Sequence, residues 1–181
     1  MADGINELRA RLNPIIAAGI TVRAQALIQA AREVTDGARH AEQPYGTRML
    51  LGLEAVYRNE LTQRGVLVSE TVMQAVSGLS THQPMDLADD LKRFINEHLE
   101  SSRAELAREL KGRSGKQSQE NETFNTRFEM HELHEELLRS YGAKIDLWAT
   151  QRQAGLNETA RARFCAWIQK IIGWVIGIIF K

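Results

Sequence analysis

Apolar side chains recur along this chain at intervals of three and four residues, the repeat of an α-helix. Ile16, Ile20, Ala24, Leu27, Ala31 and Val34 make a first stripe, and Asn13-Pro14 ahead of it reads as a helix start, with Asn as cap and Pro in the first helical position. That helix is expected to end near Thr35-Asp36-Gly37. A second stripe, Met49, Leu50, Leu53, Val56, Tyr57 and Leu61, should stop at Gly65, and Ser69 should cap a short helix through Val76 that closes at Gly78. Pro84 and Asp86 open a strongly amphipathic helix that buries Leu87, Leu91, Phe94, Ile95, His98, Leu99, Leu106 and Leu110.

After Lys111 the pattern changes. Residues 112–123, Gly-Arg-Ser-Gly-Lys-Gln-Ser-Gln-Glu-Asn-Glu-Thr, carry no hydrophobic side chain and read as a flexible linker. Beyond them Phe128, His131, His134, Leu138, Tyr141, Ile145 and Trp148 fall at helical spacing in a helix expected from about Phe124 to Trp148. It should break near Gly155, with Asn157 capping a final helix. Val66-Leu-Val68 is the only strand-like fragment, too short to build a sheet. The expected class is therefore all-α: a bundle over 1–111, the linker at 112–123, an amphipathic helix at 124–154 and a hydrophobic C-terminal helix at 155–181.

The last helix is the most distinctive part. Arg163, Ala166, Lys170, Gly173, Gly177 and Lys181 share one narrow strip, while the remaining positions are almost all large and apolar. Phe164, Trp167, Ile171, Ile172, Trp174, Ile178 and Phe180 are the candidate membrane-contact residues. Gly173 and Gly177 form a Gly-x-x-x-Gly step that suits close helix–helix approach and self-association. Phe164–Phe180 is 17 residues, roughly 25 Å at about 1.5 Å per residue, short of a hydrocarbon layer of about 30 Å. The uninterrupted apolar run after Lys170 is ten residues. Spanning with thinning or snorkelling, lying in the headgroup region, and packing in the protein's own core all remain open. Trp167-Ile-Gln-Lys-Ile-Ile-Gly-Trp174 is similar over eight residues to a Trp-Ile-x-x-x-Gly-Gly-Trp stretch of the apoptosis-regulating helical bundles. Ile172 stands where that pattern has its first Gly, and the Asn-Trp-Gly-Arg of those proteins is absent, so no function is carried over.

Charge sharpens this picture. The chain holds 23 basic and 23 acidic residues. From Arg161 onward there are four basic residues and no acid, so the first 160 residues carry 19 against 23, a balance of −4. No global positive field exists to hold nucleic acid. Arg9, Arg11, Arg23 and Arg32 lie along the first helix with Glu7 and Glu33 among them and read as a solvated face. The first residues carry acids and no apolar run, so no secretory signal is expected there, and the single Cys165 excludes an internal disulfide framework.

Candidate chemistry is sparse. His131, His134 and Glu135 could grip a metal from one helix face, but the zincin pattern His-Glu-x-x-His is missed by one residue and packing is the preferred reading. No nucleophile elbow, phosphate loop or dinucleotide fingerprint occurs, and Cys165 sits between apolar neighbours that keep its thiol protonated. No cofactor is expected. The sequence points to a non-enzymatic membrane-associated helical protein on the cytoplasmic side of a bilayer, binding a protein partner through its bundle and able to self-associate. The alternatives are a membrane-active effector whose C-terminal helix permeabilises a bilayer, and a soluble protein that buries that helix.

Overall fold

A computed structural model describes residues 2–40, 46–77, 84–114 and 122–179, with side chains described for 5–40, 46–77, 85–114 and 124–159. The described residues form helices α1 (Ala2–His40), α2 (Thr47–Ser77), α3 (Pro84–Ser114), α4 (Glu122–Phe128) and α5 (His131–Ile179).

Cross-helix contacts fix the topology. Arg23 meets Glu60 and Gly19 faces Leu67, so positions fall along α2 as they rise along α1. Arg64 meets Glu105 while Tyr57 meets Glu109, and Lys92 meets Asp146 while Glu100 meets His134, giving the same antiparallel relation for α2 with α3 and α3 with α5. Arg9 on Glu97 with Asn13 on His98, and Gly65 beside Tyr141 with Ser77 on Arg152, give parallel relations for α1 with α3 and α2 with α5. The result is an up-down-up-down bundle in which α2 and α3 are central and α1 packs mainly on α2.

One core runs through all of it, including Leu12, Ile16, Leu53, Tyr57, Leu91, Leu99, Leu106, Phe128, Tyr141 and Trp148. The expected boundary after residue 111 therefore does not separate two cores: the helix beyond it supplies the fourth side of the bundle. Gly112, Arg113 and Ser114 belong to α3, and Glu122 and Thr123 to α4, which shortens the expected linker; residues 115–121 lie outside the described residues.

Four helix ends expected from the sequence are corrected. α1 runs through Asn13-Pro14 and on past Gly37 to His40. Pro14 lacks the N–H that would bond the Ala10 carbonyl, but Ala10 and Pro14 both lie on the exposed side, so the helix tolerates it there. Asn13 turns its side-chain oxygen to accept from His98 Nε2 at 3.0 Å instead of capping. α2 is unbroken from Thr47 to Ser77, so Gly65 is no stop and Ser69 no cap. A Cβ at Gly65 would lie 2.9 Å from Tyr141 Cε2 and Oη and 3.2 Å from Leu99 Cδ2, so Gly is there to let α3 and α5 close in. Gly78 lies outside the described residues. Conversely, the helix expected from Phe124 is interrupted: Met130, buried, has φ 54° and divides α4 from α5.

Candidate membrane-contact site

α5 has two parts with different surroundings. Leu137, Tyr141, Ile145, Trp148 and Ala149 are buried against the bundle, and Lys92 of α3 is held between Asp146 at 2.7 Å and Asp89 at 3.1 Å. Both carboxylates raise the Lys92 pKa, through hydrogen bonds first. At the bundle's end Arg152 Nη2 donates to the Ser77 carbonyl at 2.8 Å, closing an orphan acceptor at the C-terminus of α2. Past this point Ala154, Gly155, Asn157, Glu158 and Thr159 are exposed.

The helix does not stop there. Gly155 lies inside it, Thr159 Oγ1 donates to the Gly155 carbonyl at 2.9 Å, and Asn157 Oδ1 accepts from Gln153 Nε2 at 3.2 Å. The break expected at Gly155 and the cap expected at Asn157 are therefore replaced by ordinary helical turns. Backbone helix continues to Ile179. The side chains of Phe164, Trp167, Ile171, Ile172, Trp174 and Ile178, and the Gly173–Gly177 seam, lie outside the described side chains, and Phe180 lies outside the described residues altogether. Residues 153–163, eleven positions on the sequence, give a helical stalk about 16 Å long between the bundle and the apolar segment.

His131, His134 and Glu135 are not brought together as a set of three, although His134 Nδ1 lies 3.9 Å from Glu135 Oε1. His131 is exposed at the first turn of α5, whereas His134 is buried with Nε2 3.5 Å from Glu100 Oε2. Among the described residues no group of three His, Cys, Asp or Glu side chains is placed to hold a metal. Burial pushes the His134 pKa down, and the neighbouring Arg103 and His131 act the same way against Glu100 and Glu135. Beside it Arg103 binds both Glu100 oxygens, at 2.6 and 3.0 Å, and donates to the Glu129 carbonyl at 2.8 Å, pinning the Met130 turn. Lys111 pairs with the Glu129 carboxylate, which that contact holds below its usual pKa. An open cleft of about 540 Å³ beside this turn is lined by Glu54, Arg58, Arg127, Met130 and His131, and Arg127 and Arg58 both pair with Glu54.

The first helix carries open apolar residues besides its buried stripe. Among the described residues, α1 is the one helix long and apolar enough to cross a membrane by length and composition, yet only 17% of its most apolar stretch is buried. Ile16, Leu27 and Ala31 face the core while Ile15 is 57% and Val22 76% exposed on a flank of the same helix. The signal was present in the sequence as an uncharged run from Leu12 to Val22, longer than one buried stripe requires. The arginines are only partly solvated. Arg9 pairs with Glu97 at 3.0 Å and lies over the Phe94 ring, and Arg23 binds both oxygens of buried Glu60, so Arg11 and Arg32 are the exposed ones.

No family model matches the chain, and no curated protein or solved structure matches it.

Proposed function

We propose that this is a non-enzymatic, membrane-associated helical protein, with its C-terminal helix in or on a bilayer and its bundle presented on the cytoplasmic side to a protein partner. The supporting observation is the continuity of α5, which starts in the bundle core and runs as helix to Ile179. The same element that packs Tyr141 and Ile145 carries the apolar segment from Phe164 onward. A membrane contact made there is transmitted to the bundle through a helical stalk rather than a loose tether. Arg161 and Arg163 sit at the boundary and favour retention of the bundle on the cytoplasmic face. Gly173 and Gly177, one turn apart on that helix, give two copies a close-packing seam.

Fractionation tests the reading. The full chain should sediment with membranes and be released by detergent but not by salt, while deletion of residues 161–181 should leave a helical protein in the soluble fraction. A full chain that stays soluble, or a deletion that fractionates unchanged, contradicts it.

A further inference from the structure

We infer that the joint between α4 and α5 is an acid-released latch: proton uptake by His134 breaks the hold of Arg103 on the Glu129 carbonyl and frees α4 and the first turn of α5 while the rest of the bundle stays folded.

The turn at this joint is held from outside. Met130 is a non-glycine residue with φ 54°, in the left-handed region that L side chains seldom adopt, so its conformation depends on its surroundings. Arg103 of α3, its side chain 9% exposed, supplies the support. Its Nη1 donates to the Glu129 carbonyl at 2.8 Å, while Nε and Nη2 donate to Glu100 Oε2 and Oε1 at 3.0 and 2.6 Å. Lys111 adds a pair with the Glu129 carboxylate. α4 itself has only seven residues and is tied down by buried Phe128 and by Arg127 on Glu54 of α2.

His134 leans on the same support. Its side chain is 7% exposed, and Nε2 has no hydrogen-bond partner among the described residues and lies 3.5 Å from Glu100 Oε2, the oxygen that accepts from Arg103 Nε. A neutral ring leaves that arrangement undisturbed. A protonated ring places a second cation beside Arg103 and competes with it for Oε2. The other charges around the ring do not offset this. Glu135, 3.9 Å from Nδ1, is 69% exposed and screened by water. Glu129 is taken by Lys111 and Arg103, and His131 acts on the cationic side. Glu54, Arg58 and Arg127 form a set of their own in the cleft beside His131. Burial holds the proton affinity of the ring down while the joint is closed, so acid favours whichever state brings the ring to water.

The cheapest such state is local. His134 lies in the first turn of α5, where its N–H bonds the Met130 carbonyl at 3.0 Å. Leu137, Tyr141, Ile145 and Trp148 hold the remainder of α5 to the bundle and need not move for the ring to be solvated. Opening uncovers Phe128 and Met130, both fully buried, at the end of α5 away from the stalk. With an open ring of ordinary pKa, about 6.5, and a closed ring that stays neutral, opening becomes about tenfold more favourable at about pH 5.5 than at about pH 7.5.

The test is amide hydrogen exchange of the full chain at about pH 7.5 and about pH 5.5, a range that spans histidine and lies above the carboxylates, corrected for the intrinsic pH dependence of exchange. Protection over residues 124–134 should fall about tenfold at the lower pH while protection over 53–61 and 91–99 holds. His98→Gln should keep this step and His134→Gln should remove it. Arg103→Lys keeps the charge but loses the fork that joins Glu100 to the Glu129 carbonyl, so it should lower protection over 124–134 already at the higher pH. The step in the native chain and the Arg103→Lys exchange decide the matter even where His134→Gln fails to fold. Protection over 124–134 that ignores pH, a step that survives His134→Gln, or native protection in Arg103→Lys overturns the latch. An equal fall in every helix also overturns it and assigns the effect of acid to the bundle as a whole.

Discussion

Arg64 and Glu60 lie one turn apart on α2 with Nε and Oε1 at 3.0 Å, their side chains 1% and 5% exposed. Glu60 also receives Arg23 from α1 at 2.9 Å, and Arg64 reaches Glu105 of α3 at 3.3 Å. One buried carboxylate thus joins two helices, and one buried guanidinium joins a third. Such pairs add little net stability, but removing one partner strands the other charge.

Glu60→Ala should therefore destabilise the bundle by about 3–5 kcal/mol, since it leaves Arg64 buried without its main partner. Replacing both by Met should recover most of that loss. A double-mutant cycle from denaturant unfolding checks it; additive losses would mean that the two charges do not depend on each other.

Gly65→Ala should cost about 1–3 kcal/mol by overpacking, because the new methyl would meet Tyr141 at 2.9 Å and Leu99 at 3.2 Å. Tyr141→Phe removes one of the close atoms, Oη, and should return part of the loss. The unfolding midpoints of the two single variants and the double variant measure this.

Gly155→Ala makes the opposite prediction. Nothing lies within 4 Å of a Cβ at Gly155, which is mid-helix, so Ala should favour the helical state by about 0.5–1 kcal/mol. Slower amide exchange over residues 152–163 is the expected readout. Faster exchange would mean that Gly155 ends a helix.

Acidification should weaken the bundle. Burial lowers the pKa of both His134 and His98, so the folded state takes up these protons less readily than the unfolded chain. The pair therefore imposes no penalty above the unfolded value of about 6.5, and stability falls as pH drops below it. The lowered carboxylates Glu100 and Glu129 extend the loss as the pH falls through the carboxylate range. His134→Gln should flatten the part of the curve just below pH 6.5, measured as the urea midpoint against pH; an unchanged slope contradicts this.

The stripes of Leu53, Tyr57, Leu61, Leu91, Leu99 and Ile145 were legible because apolar residues at helical spacing have few alternatives to a bundle core. Helix ends were not. A Gly that ends a helix and a Gly that admits a neighbouring helix look alike until the neighbour is placed, which is why Gly65 misled. Asn13-Pro14 has the composition of a start, but eleven helical residues precede Asn13. Burial of Glu60 and Arg64 could not be read from apolar spacing, because the partners they hold besides each other, Arg23 and Glu105, come from other helices. The outer face of α1 escaped attention because one buried stripe already accounted for a helix there.

The central claim is that the segment after the stalk meets lipid. The chain has three tryptophans, and Trp148 is buried in the bundle, so Trp148→Phe leaves Trp167 and Trp174 as the only emitters. With that variant bound to vesicles containing brominated phospholipid, the account predicts strong quenching of tryptophan emission. Emission unaffected by the brominated chains, with the protein bound or in solution, would contradict it.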